Sequence, residues 1–265
     1  MFEFHTDRRR YFEMQIENAE KYVIPFIEEK FRILTGMRVL EIGCGEGGVL
    51  KAFINRGCLG VGVELDMARV ELANTFLPDD IAAGKLKLVA KDIYESDAEK
   101  DFNGSFDIIV LKDVIEHIHD QPRLISWMKT FLKPGGIIFF GFPPWYMPFG
   151  GHQQICKSAI SRLPYIHLLP RFLYKWILKS GKENVAEMME VRDTGISIER
   201  FERICKQSGY VIQHKRHYLL NPIYEWKFGW KPIRQLRFIQ ALPFIRNFLT
   251  TCVYYCIEPV GKVEK

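Results

Sequence analysis

A glycine-rich turn is the feature that most constrains the fold of this chain. The letters VLEIGCGEGG at 39–48 place Gly43, Gly45 and Gly48 in the spacing GxGxxG, after an apolar run and before a helical stretch. Glycine turns the chain tightly and lets a ligand approach the backbone closely. A strand, such a turn and then a helix form the repeating unit of parallel, doubly wound sheets. The turn therefore predicts a ligand site at the end of a first strand.

Strand and helix patterns alternate along the chain after this turn. Four more apolar runs are predicted to be strands, at 58–66, 85–93, 105–112 and 137–142, and two late β-rich runs at 210–220 and 248–260 are expected to pair antiparallel. We therefore expect an α/β protein with a Rossmann-like, doubly wound, mostly parallel seven-stranded sheet and an antiparallel last strand.

Composition excludes several other classes of protein. The 265 residues are 48% hydrophobic and 26% charged, which is unlike disordered or collagen-like chains. A net charge of +5 is low for a dedicated nucleic-acid binder. The chain shows no signal-peptide core, and no window reaches the roughly 18–20 apolar residues of a membrane helix. Its six cysteines lack zinc-ligand spacing, so we expect a cytoplasmic protein with reduced thiols and no metal.

Glu41 distinguishes between the two cofactor classes that use such a turn, the dinucleotides and S-adenosylmethionine. It lies two residues before Gly43, at the tip of the first predicted strand. A carboxylate there repels a pyrophosphate but suits a ligand with an ammonium and a sulfonium group. Unit charges about 4 Å apart interact by about 4 kcal/mol near a protein surface, which is enough to select a ligand. Glu41 therefore favours S-adenosylmethionine.

The segment 39–48 resembles the first motif of class I S-adenosylmethionine-dependent methyltransferases. Its form is that of the small-molecule enzymes related to ubiquinone-biosynthesis methyltransferases, and the resemblance covers 37–142 with a weaker echo at 197–258. It implies S-adenosyl-L-methionine as the cofactor and S-adenosyl-L-homocysteine as the product. It also implies that the loop residues Gly43, Cys44, Gly45 and Gly48 surround the cofactor.

Two acids after the second and third strands complete the predicted cofactor site. Glu64 follows Gly43 by 21 residues, where an acid that accepts hydrogen bonds from both ribose hydroxyls is expected, and Leu65 comes directly after it. The resemblance further implies that Asp92 accepts a hydrogen bond from the adenine amino group, while Ile93 offers a backbone donor.

The segment after the fourth strand carries the candidate chemistry. Lys112 and Asp113 end that strand, and the resemblance implies that the following loop, with Glu116 and His117, closes over the methionine part of the cofactor. Methyl transfer from a sulfonium needs a base only when the acceptor must lose a proton. His117 is the first candidate base and His152, just past the fifth strand, is the second. Each is equally compatible with a structural role in its loop.

Two stretches, 143–192 and 221–246, interrupt the alternation. Each has a net charge of +4, and together they hold four of the five tryptophans. Basic and aromatic residues suit an anionic or amphiphilic acceptor, such as a glycan or lipid intermediate, or peripheral contact with a membrane. They also fit a packed lid whose Lys and Arg side chains reach water. We expect a mostly helical lid over the carboxyl ends of the strands.

The predicted organisation follows from these segments. N-terminal helices occupy 1–36, the cofactor-binding core 37–142, the cap insertion 143–192 and the second insertion 221–246, while 193–220 and 247–265 complete the sheet. The leading hypothesis is a methyltransferase that acts on an O, N or C nucleophile of a small molecule, and nucleic acid is an unlikely partner. The alternatives are an NAD-dependent oxidoreductase and an inactive cofactor-binding scaffold. The sequence leaves the acceptor and the oligomeric state open.

Overall fold

The computed structural model describes residues 7–102 and 104–261. Its strands are β1 Arg38–Ile42, β2 Leu59–Glu64, β3 Leu86–Ala90, β4 Phe106–Lys112, β5 Leu132–Phe142, β6 Tyr210–Leu220, β7 Ile233–Arg234 and β8 Cys252–Pro259. They form one sheet in the order β3-β2-β1-β4-β5-β8-β6-β7. Strands β1 to β5 are parallel to one another, whereas β8 runs antiparallel to both β5 and β6. The predicted fold class is confirmed.

The helices within the described residues follow the predicted alternation. They are α1 Arg8–Asn18, α2 Ile24–Glu28, α3 Gly48–Asn55, α4 Met67–Phe76, α5 Pro78–Ala82, α6 Ala98–Phe102, α7 Gln121–Trp127, α8 Arg171–Ser180, α9 Val185–Thr194, α10 Ile198–Gln207, α11 Tyr224–Phe228, α12 Arg237–Gln240 and α13 Ile245–Phe248. No helix among these is long and apolar enough to cross a bilayer.

The sheet differs from the expectation in its number of strands, which is eight rather than seven. The additional strand, β7, is two residues long and pairs antiparallel with the outer edge of β6. It lies in the second insertion, which was expected to be mostly helical. An edge strand leaves backbone N–H and C=O groups unpaired, and a passing segment can satisfy them by adding a short strand. In the cap insertion, α-helix begins only at Arg171, and 143–170 consists of turns and short 3₁₀ segments.

Alternating side chains of the central strands enter two separate cores. Along β4, Ile108 and Val110 pack with α1 to α3, whereas Ile109 and Leu111 pack with α7 and α10. This alternation is the two-residue period of a strand buried on both faces. Burying each such side chain contributes about 1.5–3 kcal/mol. Because the helices cover both faces, the loops at the carboxyl ends of the strands are left as the accessible edge.

The ligand crevice lies where the strand order reverses. The chain leaves β1 towards β2 on one side, while β4 pairs with β1 on the other side. In open α/β sheets such a switch point opens a crevice outside the carboxyl ends of the strands. The glycine loop after β1 and the loop after β4 therefore face each other across this crevice.

Candidate active site

A cavity of about 1450 Å³ opens at the carboxyl ends of β1 to β5. Pockets for one small ligand usually measure roughly 300–1,000 Å³. This cavity is therefore large enough to hold a cofactor and an acceptor together. Its walls come from the strand-end loops, from α1 and from both insertions.

Within the glycine-rich loop, Gly43 lines the cavity. Its φ of +68° is in the left-handed region, and its N–H donates to the Val63 carbonyl oxygen at 2.8 Å. A Cβ atom at this position would lie 2.6 Å from Cγ2 of Val114, which begins the loop after β4. A glycine is required here because the two loops approach each other so closely.

The other predicted loop residues lie outside the cavity lining. A Cβ on Gly48 would lie 2.7 Å from the Phe12 carbonyl oxygen, so this glycine lets α1 pack closely against α3. A Cβ on Gly45 would clash with the Arg69 guanidinium group. Cys44 is buried behind the loop, and burial raises the pKa of its thiol well above the usual value. These three residues shape the loop rather than the cavity wall.

Glu41 lies beneath the glycine loop and is only 3% exposed. Its Oε2 accepts a hydrogen bond of 3.1 Å from the backbone N–H of Leu50, in the first turn of α3. Burial raises the pKa of this carboxyl group to about 8. The group is therefore mostly uncharged at neutral pH and is not part of the cavity wall. The sequence could not reveal this, because whether the last side chain of a strand turns inwards depends on the packing of α3.

Glu64 ends β2 with its carboxylate fixed by backbone donors. Oε2 accepts from the Gly45 N–H at 2.8 Å, and Oε1 accepts from the N–H groups of Leu65 and Asp66 at 2.9 and 3.1 Å. The Arg69 guanidinium lies 3.6 Å away. Both Glu64 and Leu65 line the cavity, so this carboxylate is held in one orientation at the cavity wall.

Asp92 and Ile93 line the same cavity at the end of β3. Oδ1 of Asp92 accepts from the Tyr94 N–H at 2.9 Å and so caps the short 3₁₀ turn Ile93–Glu95. The structure thereby brings Gly43, Glu64 and Asp92, which the sequence separates widely, to one wall.

Lys112 and Asp113 form an ion pair at the tip of β4, and both line the cavity. Asp113 has a φ of +57°, which is uncommon for a residue other than glycine. Burial alone would lower the pKa of the Lys112 ammonium group. The charge of Asp113 and the hydroxyl of Tyr11 have a larger opposite effect, so the pKa of Lys112 is raised.

Two residues of α1, Tyr11 and Gln15, also line the cavity and were missed by the sequence reasoning. The amide oxygen of Gln15 is buried there without a hydrogen-bond partner. A signal was available in the sequence: Phe12 and Ile16 are apolar residues at helical spacing, and Tyr11 and Gln15 precede them by one position each. Their four-residue spacing puts them on one face of the helix.

Glu116, His117 and His152 come together although His152 belongs to the cap insertion. One ligand atom from each lies within 4.8 Å of the others, and the two imidazole rings are 5.1 Å apart. Burial, with the charge of Asp113, raises the pKa of Glu116 well above its usual value. Burial lowers the pKa of His117, and it lowers that of His152 to about 4. Both imidazoles are therefore uncharged at neutral pH and can accept a proton.

This trio also has the donor atoms that a metal ion can use. This trio could not be recognised in the sequence, because the spacing between Glu116 and His152 matches no metal-binding motif. The expectation of no metal stays a prediction.

The second insertion contributes Tyr224, Lys227 and Trp230 to the wall of the cavity. The Lys227 ammonium lies 5.7 Å from the centre of the Tyr11 ring, and burial lowers its pKa to about 8. The cap insertion adds His152 and Arg162. Both insertions are thus at the cavity, on the same end of the sheet as the glycine loop.

Comparison with known proteins identifies the family. A family model described as a methyltransferase domain matches residues 15–215, so the chain belongs to the methyltransferase-domain family. This confirms the recognition as a class I S-adenosylmethionine-dependent methyltransferase, together with its cofactor. The oxidoreductase and the inactive scaffold find no support.

Particular relatives are more distant. The chain is similar to a ubiquinone biosynthesis O-methyltransferase of Leptothrix cholodnii, with 22% identity over 75% of this chain and 74% of the relative. A protein with the same description from Pasteurella multocida is 26% identical over 44% of this chain, which spans about half (50%) of that relative. An S-adenosylmethionine-dependent methyltransferase structure from Mesorhizobium loti superposes with a TM-score of 0.55 at 17% identity, covering 91% of this chain and 99% of the other.

Proposed function

We propose that this protein transfers a methyl group from S-adenosyl-L-methionine to an O, N or C nucleophile of a small molecule that has an anionic group and an apolar body. The observation that carries the proposal is that one cavity is lined by Gly43 of the glycine loop, by two carboxylates and by basic and aromatic side chains. The volume of about 1450 Å³ supports simultaneous binding of both substrates.

The wall formed by β1 to β3 and α1 fits the cofactor. Glu64 would accept hydrogen bonds from the ribose hydroxyls, and Asp92 would accept one from the adenine amino group beside the backbone of Ile93. Gly43 allows close approach of the methionine part. The unpartnered, buried oxygen of Gln15 suits the cofactor's ammonium group, because an orphaned acceptor gains from a charged donor.

The two imidazoles fit the proton transfer that an O or N acceptor needs. The sulfonium supplies an activated methyl group; the nucleophile forms a bond to that carbon as the sulfur–carbon bond breaks, and sulfur keeps the electron pair. The acceptor's proton passes to the nitrogen of His117 or His152, both of which are uncharged at neutral pH. Glu116, buried beside them, would orient the pair.

Lys227 supports the anionic character of the acceptor. It is a half-buried cation in the wall of the cavity, close to Tyr11 and Asp113. A cation in a partly desolvated site gains from a ligand that carries the opposite charge, because water screens the pair less there. Aromatic residues such as Tyr224 and Trp230 would enclose the apolar part of the acceptor and exclude water from the reaction path.

The experiment that tests the proposal has two parts. Calorimetry should give saturable binding of S-adenosylhomocysteine and no binding of NAD. The protein is then incubated with cofactor labelled in its methyl group and with fractionated lipid, glycan and quinone extracts, and the labelled product is identified. Protein that binds neither S-adenosylhomocysteine nor its precursor would contradict the proposal.

A matched pair of lysine variants tests the acceptor side. Lys227→Gln should reduce turnover at least about tenfold, as expected when a charge-assisted contact worth about 1.5–3 kcal/mol is lost, without changing affinity for S-adenosylhomocysteine. Lys85→Gln, at an exposed position just before β3 and outside both insertions, is the control and should behave like the wild type. Equal turnover of both variants would remove Lys227 from the acceptor site.

The cellular setting is also part of the proposal. All six cysteines are unpaired and buried, which fits the reducing environment of the cytoplasm. We also propose peripheral contact with membranes, since an amphiphilic acceptor resides there.

A further inference from the structure

Segment 236–249, which follows β7, exposes large apolar side chains to an unusual degree. Phe238 is 63% exposed, Phe244 66% and Ile245 52%, and Leu242 and Leu249 are exposed as well. We call these five residues the apolar tip. Apolar side chains scattered singly on a surface need no explanation, but a cluster in one short segment indicates an interaction site.

The backbone holds the apolar tip in this exposed position. Phe244 has a φ of +63°, which is strained for a bulky residue. Its N–H donates to Oε1 of Glu199 at 3.0 Å, and the same carboxylate accepts from Arg246 Nε at 2.8 Å and from Asn247 Nδ2 at 2.6 Å. Asn247 is fully buried and its Oδ1 accepts from the Ile198 N–H at 2.9 Å. These hydrogen bonds to Glu199 and Asn247 thus hold the turn in place, with its apolar side chains exposed to solvent.

The cap insertion extends this surface through Tyr165. The Tyr165 hydroxyl donates to the Phe248 carbonyl oxygen at 3.1 Å, and the two rings lie 6.2 Å apart. Tyr165 also has a positive φ, of +66°. Ile160 and Leu163, just before it in the chain, are 60% and 52% exposed. The cap insertion therefore contacts the end of the segment that carries the apolar tip.

The charge around the apolar tip is positive. No acidic residue occurs between Glu225 and Glu258, whereas Lys231, Arg234 and Arg237 are exposed in this interval. Glu199, below the turn, is already occupied by Arg246 and Asn247. Exposed aromatic and aliphatic side chains bordered by cations are suited to the interface of a bilayer that contains anionic lipids.

The apolar tip also lies close in sequence to the opening of the cavity. Trp230 lines the cavity and is nevertheless 56% exposed, so it stands at the mouth. Ile233 and Leu236, which connect it with the tip, are 48% and 56% exposed. Exposed apolar side chains therefore occur in the chain all the way from the mouth of the cavity to the apolar tip.

We infer that the apolar tip, with Ile160 and Leu163 beside it, is a docking surface for anionic lipid bilayers. Phe244 and Ile245 enter the boundary between headgroups and acyl chains, while Lys231, Arg234 and Arg237 contact anionic headgroups. Delivery of the acceptor rests on the proposed function, but the docking itself does not.

Sedimentation with lipid vesicles tests the inference on the whole chain. The wild type should sediment with phosphatidylcholine vesicles that contain phosphatidylglycerol, and much less with phosphatidylcholine alone. The double variant Phe244→Asn and Ile245→Ser should bind the anionic vesicles at least about tenfold more weakly, as expected from the loss of two interfacial apolar side chains. Asparagine is chosen because it tolerates a positive φ.

A matched control removes two exposed apolar side chains elsewhere. Leu34 and Val211 are 46% and 44% exposed and lie outside both insertions. The variant Leu34→Ser and Val211→Ser should sediment with anionic vesicles as the wild type does. A wild type that stays in the supernatant, or a tip variant that binds like the wild type, would overturn the inference.

Two further measurements guard against an unstable variant and against a different occupant. Phe238→Ser, on α12 and outside the strained turn, should also weaken vesicle binding.

Sedimentation velocity without lipid should give the same mass for the wild type and the tip variants. If the wild type is a dimer and the tip variants are monomers, this surface binds a second copy of the chain, and the inference is overturned. Calorimetry with S-adenosylhomocysteine separates the two proposals, because the tip variants should bind it normally.

Discussion

The imidazole rings of His117 and His152 lie 5.1 Å apart, edge to face, although one follows β4 and the other belongs to the cap insertion. The cap is therefore needed to bring the two candidate bases together. His117 lies close enough to affect the protonation of His152, because its proximity, after burial itself, helps to lower the pKa of His152. In the proposed mechanism, the cap positions a base and also encloses the acceptor.

The first prediction concerns this pair. His117→Gln and His152→Gln should each lower kcat, and loss of the base itself should cost roughly 10²–10⁴-fold. Affinity for S-adenosylhomocysteine should stay within twofold, because neither ring belongs to the cofactor wall. Steady-state kinetics with the identified acceptor checks this, with calorimetry as the control. If both variants keep the wild-type kcat, the transfer requires no imidazole base.

The pH profile adds an independent readout of the same pair. Burial lowers the pKa of His152 to about 4, whereas an ordinary histidine has a pKa of about 6.5. A base of this kind remains unprotonated as pH falls through 6. Turnover supported by His152 should therefore stay level from about pH 7, where Lys227 is mostly charged, down to about pH 5.5. A half-loss of kcat near pH 6.5 would contradict a buried, uncharged His152 as the base.

The second prediction concerns the two acids of the cofactor wall. Glu64→Ala and Asp92→Ala should each weaken S-adenosylhomocysteine binding by about 1.5–3 kcal/mol, the usual contribution of hydrogen bonds to a charged group. Calorimetry measures the affinity. Glu71→Ala, an exposed acid on the neighbouring α4, is the control. Because Glu64 also holds three backbone N–H groups, thermal unfolding must show that its variant is folded at the assay temperature. Unchanged affinity in both acid variants would remove these residues from the cofactor site.

The sequence placed the residues of the proposed cofactor wall at the cavity better than those of the proposed acceptor wall, and the reason is physical. Gly43, Glu64 and Asp92 each follow a strand, and the topology of a parallel sheet brings strand ends to one edge. The order of strands and helices along the chain was therefore enough to place these three residues at the carboxyl edge of the sheet. The meeting of His117 with His152, and the entry of Lys227 into the cavity, depend on how two irregular insertions pack, for which sequence periodicity gives no rule.

The charge of Glu41 could not be predicted from the sequence for a related reason. Its position at a strand end was predicted correctly, but its side chain turns under the loop and accepts a hydrogen bond from the Leu50 N–H of α3. Burial there favours the uncharged form of the carboxyl group. The choice of cofactor is confirmed, whereas a direct contact between Glu41 and the cofactor stays a prediction.

The third prediction follows from the raised pKa of Glu41. Its pKa is about 8 in the folded protein and about 4.5 in an unfolded chain. Between these values the folded state binds more protons, so this group makes the free energy of unfolding fall as pH rises from about 4.5 to 8. Glu41→Gln keeps the acceptor for the Leu50 N–H but cannot ionise. The variant should therefore gain stability relative to the wild type as pH rises through this window.

Urea denaturation at several pH values measures this difference. Comparing the two proteins at each pH cancels the titration of all other groups, including the buried histidines. Glu71→Gln, which replaces an exposed acid on α4, is the control for changing a carboxylate into an amide. A constant difference between Glu41→Gln and the wild type from pH 5 to pH 8 would contradict the assignment of a buried, protonated carboxyl group.

The last prediction uses the unpartnered oxygen of Gln15. Methionine has a similar volume and no hydrogen-bonding amide, so Gln15→Met removes a buried acceptor that lacks a donor in the free protein. Leaving a buried polar atom unpaired costs about 1–3 kcal/mol, and an apolar replacement of the same shape avoids that cost. The variant should therefore unfold at an equal or higher urea concentration than the wild type. Its affinity for S-adenosylhomocysteine should fall, because the ammonium group loses its acceptor. Opposite changes in stability and affinity are the signature of a polar group held ready for a ligand, whereas a purely structural glutamine would lose stability and keep its affinity.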